Sequence, residues 1–100
     1  MDVDSSVELV ALHRLVEEAD IAESSRQAVG WCLKQLPRLY RELARTSESR
    51  YADEISRLAR AMLKELAGAA PAVAEGVVTQ LRALHARWGL PGLDLKRKAS

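Results

Sequence analysis

Residues 24–45, which read SSRQAVGWCLKQLPRLYRELAR, decide the fold of this 100-residue chain. At a helical spacing of about 100° per residue, the apolar and the basic side chains of this stretch separate onto opposite faces. The apolar face comprises Val29, Cys32, Leu36, Leu39, Tyr40 and Leu43. The opposite face, which we call the basic ridge, comprises Lys34, Arg38, Arg41 and Arg45. The pattern predicts a helix over 25–45 that buries one face and presents a cationic back.

Three further segments carry the same helical periodicity. Capping boxes at Ser5–Glu8 and Ser24–Gln27 predict the starts of the first and second helices. Gly68 and Pro71 predict the end of the third helix and the start of the fourth. The predicted helices are 5–21, 25–45, 48–67 and 71–88, followed by a tail at 89–100.

The composition favours a helical core. The chain is 48% hydrophobic and 29% charged and contains no Phe, so leucine, valine, isoleucine and alanine must fill the interior. We therefore predict a single all-α domain over 1–100, an antiparallel up-down four-helix bundle. Because residues 46–49 contain neither Gly nor Pro, the alternative is one long helix over 25–67 with two flanking helices, completed by dimerisation. A break with Thr46 or Ser47 as the N-cap is preferred, because it gives helices of similar length.

The net charge of +1 hides an uneven distribution along the chain. Residues 1–24 contain seven acidic residues and one basic residue, and three of these acids, Glu17, Glu18 and Asp20, oppose the dipole at the end of the first helix. We expect that end to be weakly held unless basic residues of the second helix approach it. The single cysteine and the absence of a signal peptide or membrane-spanning run predict a cytoplasmic location, and the excess of Arg over Lys suggests a bacterial genome.

The sequence lacks the common signatures of catalysis. It has no phosphate-binding glycine loop, no HExxH and no GxSxG, so we expect a non-enzyme without cofactor or metal. The soft-ligand candidates are His13, Cys32, Met62 and His85, and none is paired at helical spacing. A core role is the preferred interpretation of each. A metal- or ligand-binding bundle is the third functional hypothesis.

The basic ridge and Trp31 form the candidate partner-binding site. Four regularly spaced cations can meet an acidic protein surface or phosphates, or can be a solvated face balanced by the acidic first helix. Trp31 lies on the outward side beside Lys34, where an exposed indole would anchor a partner. The preferred interpretation, however, is that Gly30 and a bend at Pro37 rotate the indole onto a flank of the bundle.

A second face of the fourth helix carries small residues at Ala69, Ala72, Gly76 and Ala83. Such spacing permits close helix contact, either with a neighbouring helix of the bundle or with a second copy of the chain. These residues are the candidate self-association site.

The leading functional hypothesis is a non-catalytic protein-binding module, such as a small adaptor, chaperone-like or regulatory protein. It would hold an acidic protein partner through Trp31 and the basic ridge. The alternative is a nucleic-acid-associated protein that binds phosphates through the ridge and the basic tail residues Lys96, Arg97 and Lys98. No membrane partner is expected.

Overall fold

Four helices make up the computed structural model, which describes residues 6–68 and 70–88. They are α1 (Val7–Glu18), α2 (Glu23–Thr46), α3 (Ser49–Ala67) and α4 (Pro71–Arg87). The described residues contain no strand, so the predicted all-α class is confirmed. The predicted tail at 89–100 lies outside the described residues. None of the described helices is long and apolar enough to cross a membrane.

The helices form a closed ring of neighbours. Each packs against the next in the chain, and α4 returns to pack against α1. Arg87 at the end of α4 contacts Glu8 at the start of α1, which makes this pair antiparallel. Farther along the same pair, Gly76 lies so close to α1 that a Cβ there would be 3.2 Å from Leu15 Cδ1. The architecture is the predicted four-helix bundle.

The apolar stripes fill the interior as predicted. All six residues of the apolar face of α2 are buried, together with Leu33 and Pro37. The other helices contribute Leu9, Leu12, Val16, Ile55, Leu58, Ala59, Met62, Leu66, Val77, Leu81 and Leu84. The helix continues through Pro37, so α2 is one element on both sides of the proline.

A break separates α2 from α3, so the alternative of one helix over 25–67 is wrong. Ser47 adopts the left-handed conformation, with φ 60° and ψ 20°, and its amide donates to the Leu43 carbonyl. The Thr46 hydroxyl donates back to the Glu42 carbonyl and accepts from the Glu48 amide at 3.2 Å. The N-cap of α3 is Glu48, not Thr46 or Ser47, because these two residues are used to close α2.

The predicted capping boxes are not the ones that begin α1 and α2. Ser6 is the N-cap of α1 and accepts from the Leu9 amide, whereas Ser5 lies outside the described residues. Glu8 binds Arg87 through two hydrogen bonds of 2.7 and 2.8 Å, a tertiary contact that a local motif does not foresee. Helix α2 begins two residues early, at Glu23, with Ala22 as an N-cap that has no side-chain hydrogen bond.

The expected basic group at the end of α1 is Arg26. Helix α1 stops at Glu18, three residues before the predicted end, because Ala19 turns to an extended conformation. The Arg26 guanidinium donates to the carbonyls of Val16, Glu17 and Ala19 at 2.5, 2.8 and 2.9 Å. A cation at these carbonyls satisfies acceptors that the helix leaves open and offsets its dipole.

We expect Arg26→Ala to lower the free energy of unfolding by about 2 kcal/mol, because charge-assisted hydrogen bonds to three carbonyls are lost. Urea unfolding followed by circular dichroism measures the change, and amide hydrogen exchange should show earlier opening at the end of α1. Gln27→Ala, an exposed change at the next position, is the matched control. Equal stability of the two variants would contradict the capping role.

Ser47→Gly is expected to stabilise the protein by about 0.5–1 kcal/mol, because glycine adopts a left-handed conformation without the steric cost of a Cβ. Thermal unfolding measures the effect. Ser49→Gly, inside the first turn of α3, should do the opposite, because glycine disfavours helix. A destabilising Ser47→Gly would show that the Ser47 side chain is required.

Candidate functional site

The basic ridge lies on the solvent face of α2. Lys34, Arg38, Arg41 and Arg45 are all exposed, while the opposite face of the same helix is buried. The split predicted from helical periodicity is therefore present in the folded chain. Four cations spaced over three turns give this side of the bundle a positive rim that can meet an acidic surface.

Trp31 stands on the same side of α2 and is 60% exposed. The preferred interpretation, in which Gly30 and Pro37 rotate the indole onto the bundle, is therefore wrong. The side chain lies three residues before Lys34 and seven before Arg38, positions that share one face of a helix. A large apolar surface next to cations is the composition that interface hot spots favour.

A carboxylate interrupts the basic ridge. Glu42, on the same helix, accepts a charge-assisted hydrogen bond from Arg45 Nη2. This bond lowers the pKa of Glu42 from its usual value, although partial burial opposes the shift, and the charges of Arg38 and Arg50 lower it further. Part of the positive charge of the ridge is therefore neutralised by Glu42, a residue of α2 itself. Glu8, on the acidic first helix, instead forms an ion pair with Arg87 of α4.

A polar cleft of about 460 Å³ adjoins the ridge between α2 and α3. Arg38 belongs to both surfaces and lines the cleft with Leu39, Arg50, Tyr51, Asp53, Glu54 and Arg57. Arg57 pairs with Glu54 at 3.0 Å, and Arg50 donates to the Tyr51 hydroxyl at 2.9 Å. The cleft offers both signs of charge, which suits a protein surface of mixed charge better than a run of phosphates.

The small residues of α4 divide between two environments. Gly76 is in contact with Leu15 and permits the close approach of α1 and α4, so it seats a neighbouring helix within the bundle. Ala72 and Ala83 are exposed, and Ala69 lies outside the described residues. Self-association through these residues stays a prediction.

The soft-ligand candidates occupy separate places. Within residues 6–68 and 70–88, no three His, Cys, Asp or Glu side chains are grouped to hold a metal ion. Cys32 is buried. Its burial and, to a smaller extent, the negative charge of Glu65 raise the pKa of its thiol. His85 is buried on α4, with its Nδ1 3.2 Å from the Tyr40 hydroxyl and the rings edge to face. Cys32, Met62 and His85 are buried, whereas His13 is half-buried.

An apolar groove between α1 and α4 was missed from the sequence. It has a volume of about 430 Å³ and is lined by Val7, Val10, Ala11, Arg14, Leu15, Glu18, Gly76, Thr79 and Gln80. Val7 is 71% and Val10 is 51% exposed. The available signal was that these two valines fall outside the core-facing stripe of α1.

Comparisons of this chain with known protein families, with curated proteins and with solved structures found no match. The described residues present three surfaces that could bind a partner: a basic ridge with an exposed Trp on α2, a polar cleft beside it, and an apolar groove on the α1–α4 side.

The buried pair of Tyr40 and His85 predicts a pH effect. Burial raises the pKa of Tyr40 above its ordinary value of 10.0, so the folded state keeps the phenol protonated. The contribution of the protonated Tyr40 to the free energy of unfolding is fully present below about pH 10. It is lost as the pH rises above that value, because the Tyr40 phenol then ionises in the unfolded chain before it ionises in the folded one.

Tyr40→Phe should lower the free energy of unfolding by about 1 kcal/mol at pH 7, because a buried hydrogen bond is lost. The deficit should shrink on going to pH 11, since the phenylalanine cannot ionise. Urea titrations across this range measure both effects, with Tyr51→Phe, whose hydroxyl bonds Arg50, as the control. A deficit that grows with pH would contradict the assignment.

Proposed function

We propose that the protein is a non-catalytic protein-binding module that holds an acidic partner through Trp31 and the basic ridge. The observation that carries the proposal is the 60% exposure of Trp31 on the face that presents Lys34 and Arg38. Burial of an indole supplies apolar contact area, while neighbouring cations orient an acidic partner and speed its approach.

An acidic protein is favoured over nucleic acid as the partner because carboxylates accompany the cations. Glu42 lies within the ridge, and Asp53 and Glu54 line the adjoining cleft. Glu42 and Glu54 are already paired with Arg45 and Arg57, so the positive charge of these two arginines is partly neutralised for a phosphate backbone, whereas a protein surface can meet both signs of charge. Small adaptors and regulatory proteins use surfaces of this kind, and a nucleic-acid role remains the competing hypothesis.

The test is affinity capture from the native host with two matched variants. Lys34→Glu with Arg38→Glu reverses two charges on the ridge, and Lys64→Glu with Arg82→Glu reverses one lysine and one arginine on exposed sites of α3 and α4. We expect the ridge variant to bind the captured partner at least about tenfold more weakly, since it removes steering and creates like-charge contacts. Trp31→Ser should weaken binding similarly, because the apolar anchor is lost.

The control variant should bind like the unmodified chain, and circular dichroism should show equal helicity for all four proteins. If both charge variants weaken partner binding equally, the loss of binding reflects the net charge of the protein and not the ridge, and the proposal is contradicted. Gel retardation with duplex and single-stranded DNA at low salt tests the competitor. Retardation that disappears steeply with salt and with the ridge variant would favour nucleic acid instead.

A further inference from the structure

The polar cleft between α2 and α3 contains two charged side chains that are left without a counter-ion. The charged residues of its lining are Arg38, Arg50, Asp53, Glu54 and Arg57. Arg50 pairs with Glu48 at 2.6 Å, and Arg57 pairs with Glu54 at 3.0 Å. Within residues 6–68 and 70–88, neither Arg38 nor Asp53 belongs to an ion pair.

Helical spacing alone would give Asp53 a partner. Asp53 and Arg57 are four residues apart on α3, a separation that allows opposite charges to pair. Arg57 instead pairs with Glu54, and no ion pair joins Asp53 to Arg38 in the described part of the chain. Both side chains are exposed. The folded chain therefore offers one cation from α2 and one carboxylate from α3 to the same cleft.

Other residues of the cleft lining are already held in place. Tyr51 is partly buried against the core, and the guanidinium carbon of Arg50 lies 4.8 Å from the centre of its ring. Arg50 also donates to the Tyr51 hydroxyl at 2.9 Å. Because these side chains are ordered before a ligand arrives, binding does not have to immobilise them, which lowers its entropic cost.

Two unpaired charges of opposite sign favour a ligand that carries both. A carboxylate can accept two parallel hydrogen bonds from the Arg38 guanidinium, and an ammonium or guanidinium group can bind the Asp53 carboxylate. A purely anionic ligand would bring like charge to Asp53, and a purely cationic ligand would bring like charge to Arg38. The cleft therefore fits a surface that has an acidic and a basic side chain close together.

Arg38 makes the cleft continuous with the basic ridge, because it belongs to both. Trp31 lies seven residues before Arg38 on α2, a rise of about 10 Å. A standard protein interface covers about 800 Å² on each partner, which is wide enough to include both the indole and the cleft. A protein held by Trp31 and the ridge can therefore reach the cleft with a segment of its own surface.

We propose that the protein partner of the ridge docks a segment in the α2–α3 cleft, with a carboxylate on Arg38 and a basic side chain on Asp53. This inference rests on the proposed function and adds a requirement to it. The partner is acidic towards the ridge but carries a cation for α3. An acidic surface without that cation is disfavoured, because its charge opposes Asp53.

The effect of reversing the charge of Asp53 separates this docking from binding by the ridge alone. Asp53→Lys adds positive charge beside the ridge, so a purely acidic partner would bind the variant more tightly. We expect about tenfold weaker binding instead, since the basic side chain of the docked segment then faces a lysine. Asp53→Asn, a neutral change of the same size, should weaken binding by a smaller factor.

The measurement is the dissociation constant of the purified protein that the unmodified full-length chain captures from its host. Glu75→Lys, an equal change of charge on exposed α4, is the matched control and should bind like the unmodified chain. Circular dichroism checks the fold of each variant. Unchanged or tighter binding by Asp53→Lys and Asp53→Asn would overturn the docking. Lys34→Glu and Trp31→Ser, which lie outside the cleft, test the proposed function separately.

Synthetic peptides test the cleft without a captured partner. The first probe is an acetylated and amidated pentapeptide with glutamate and lysine at its ends and three alanines between them. In two further probes, glutamine replaces either the lysine or the glutamate. In NMR titrations of the full-length chain, we expect the first probe to shift the Arg38 and Asp53 amide signals with at least about fivefold higher affinity than the other two.

Asp53→Ala should remove the advantage of the first probe over the probe that lacks lysine. Equal binding of the three probes, or binding of none, would overturn the mixed-charge site even where the ridge holds a partner. Free glutamate is the last probe, since its ammonium and carboxylate groups carry the same charges in a small molecule. Tighter binding of free glutamate than of the first peptide would assign the cleft to a small zwitterion and would also overturn the proposal.

Discussion

A buried hydrogen bond between Tyr40 and His85 joins α2 and α4, one of the two diagonal pairs of helices in this bundle. Helices α2 and α4 are not neighbours in the ring, yet the Tyr40 hydroxyl of α2 lies 3.2 Å from Nδ1 of His85 on α4. Tyr40 is the largest fully buried side chain of the described residues, in a chain that contains no Phe. Its hydroxyl then needs a partner inside, and His85 supplies it.

The sequence predicted the helices better than their ends. Repeating apolar positions over three or more turns determine which face of α2 is buried, and that information is local. The ends depend on contacts with distant residues. Glu8 was expected to cap its own helix but binds Arg87 across the bundle, and α2 begins before the Ser24–Gln27 box because its first turn extends back to Glu23. A local capping motif does not predict that a distant residue such as Arg87 binds the capping side chain.

The candidate site was predictable to the same extent. The outward position of the ridge follows from helical phase, which α2 maintains through Pro37. Because the phase is maintained, Trp31 also faces outward, and the preferred interpretation, a rotation of its indole onto the bundle, was wrong. The polar cleft could not be predicted from helical phase, because it depends on how α3 packs against α2. The apolar groove was missed for a related reason. From the sequence, Val7 and Val10 are predicted only to face solvent on α1. The face becomes concave because α4 approaches α1 closely at Gly76.

The arrangement separates two surfaces of different chemistry onto opposite parts of the ring. Arg26 illustrates how they stay distinct. Its guanidinium is taken up by the carbonyls at the end of α1, so this cation contributes to the joint between α1 and α2 instead of extending the ridge towards α1. The same guanidinium also pairs with Glu23 at 3.3 Å. A cationic face on α2 and an apolar groove with an acidic end on α1–α4 can therefore each be occupied without blocking the other.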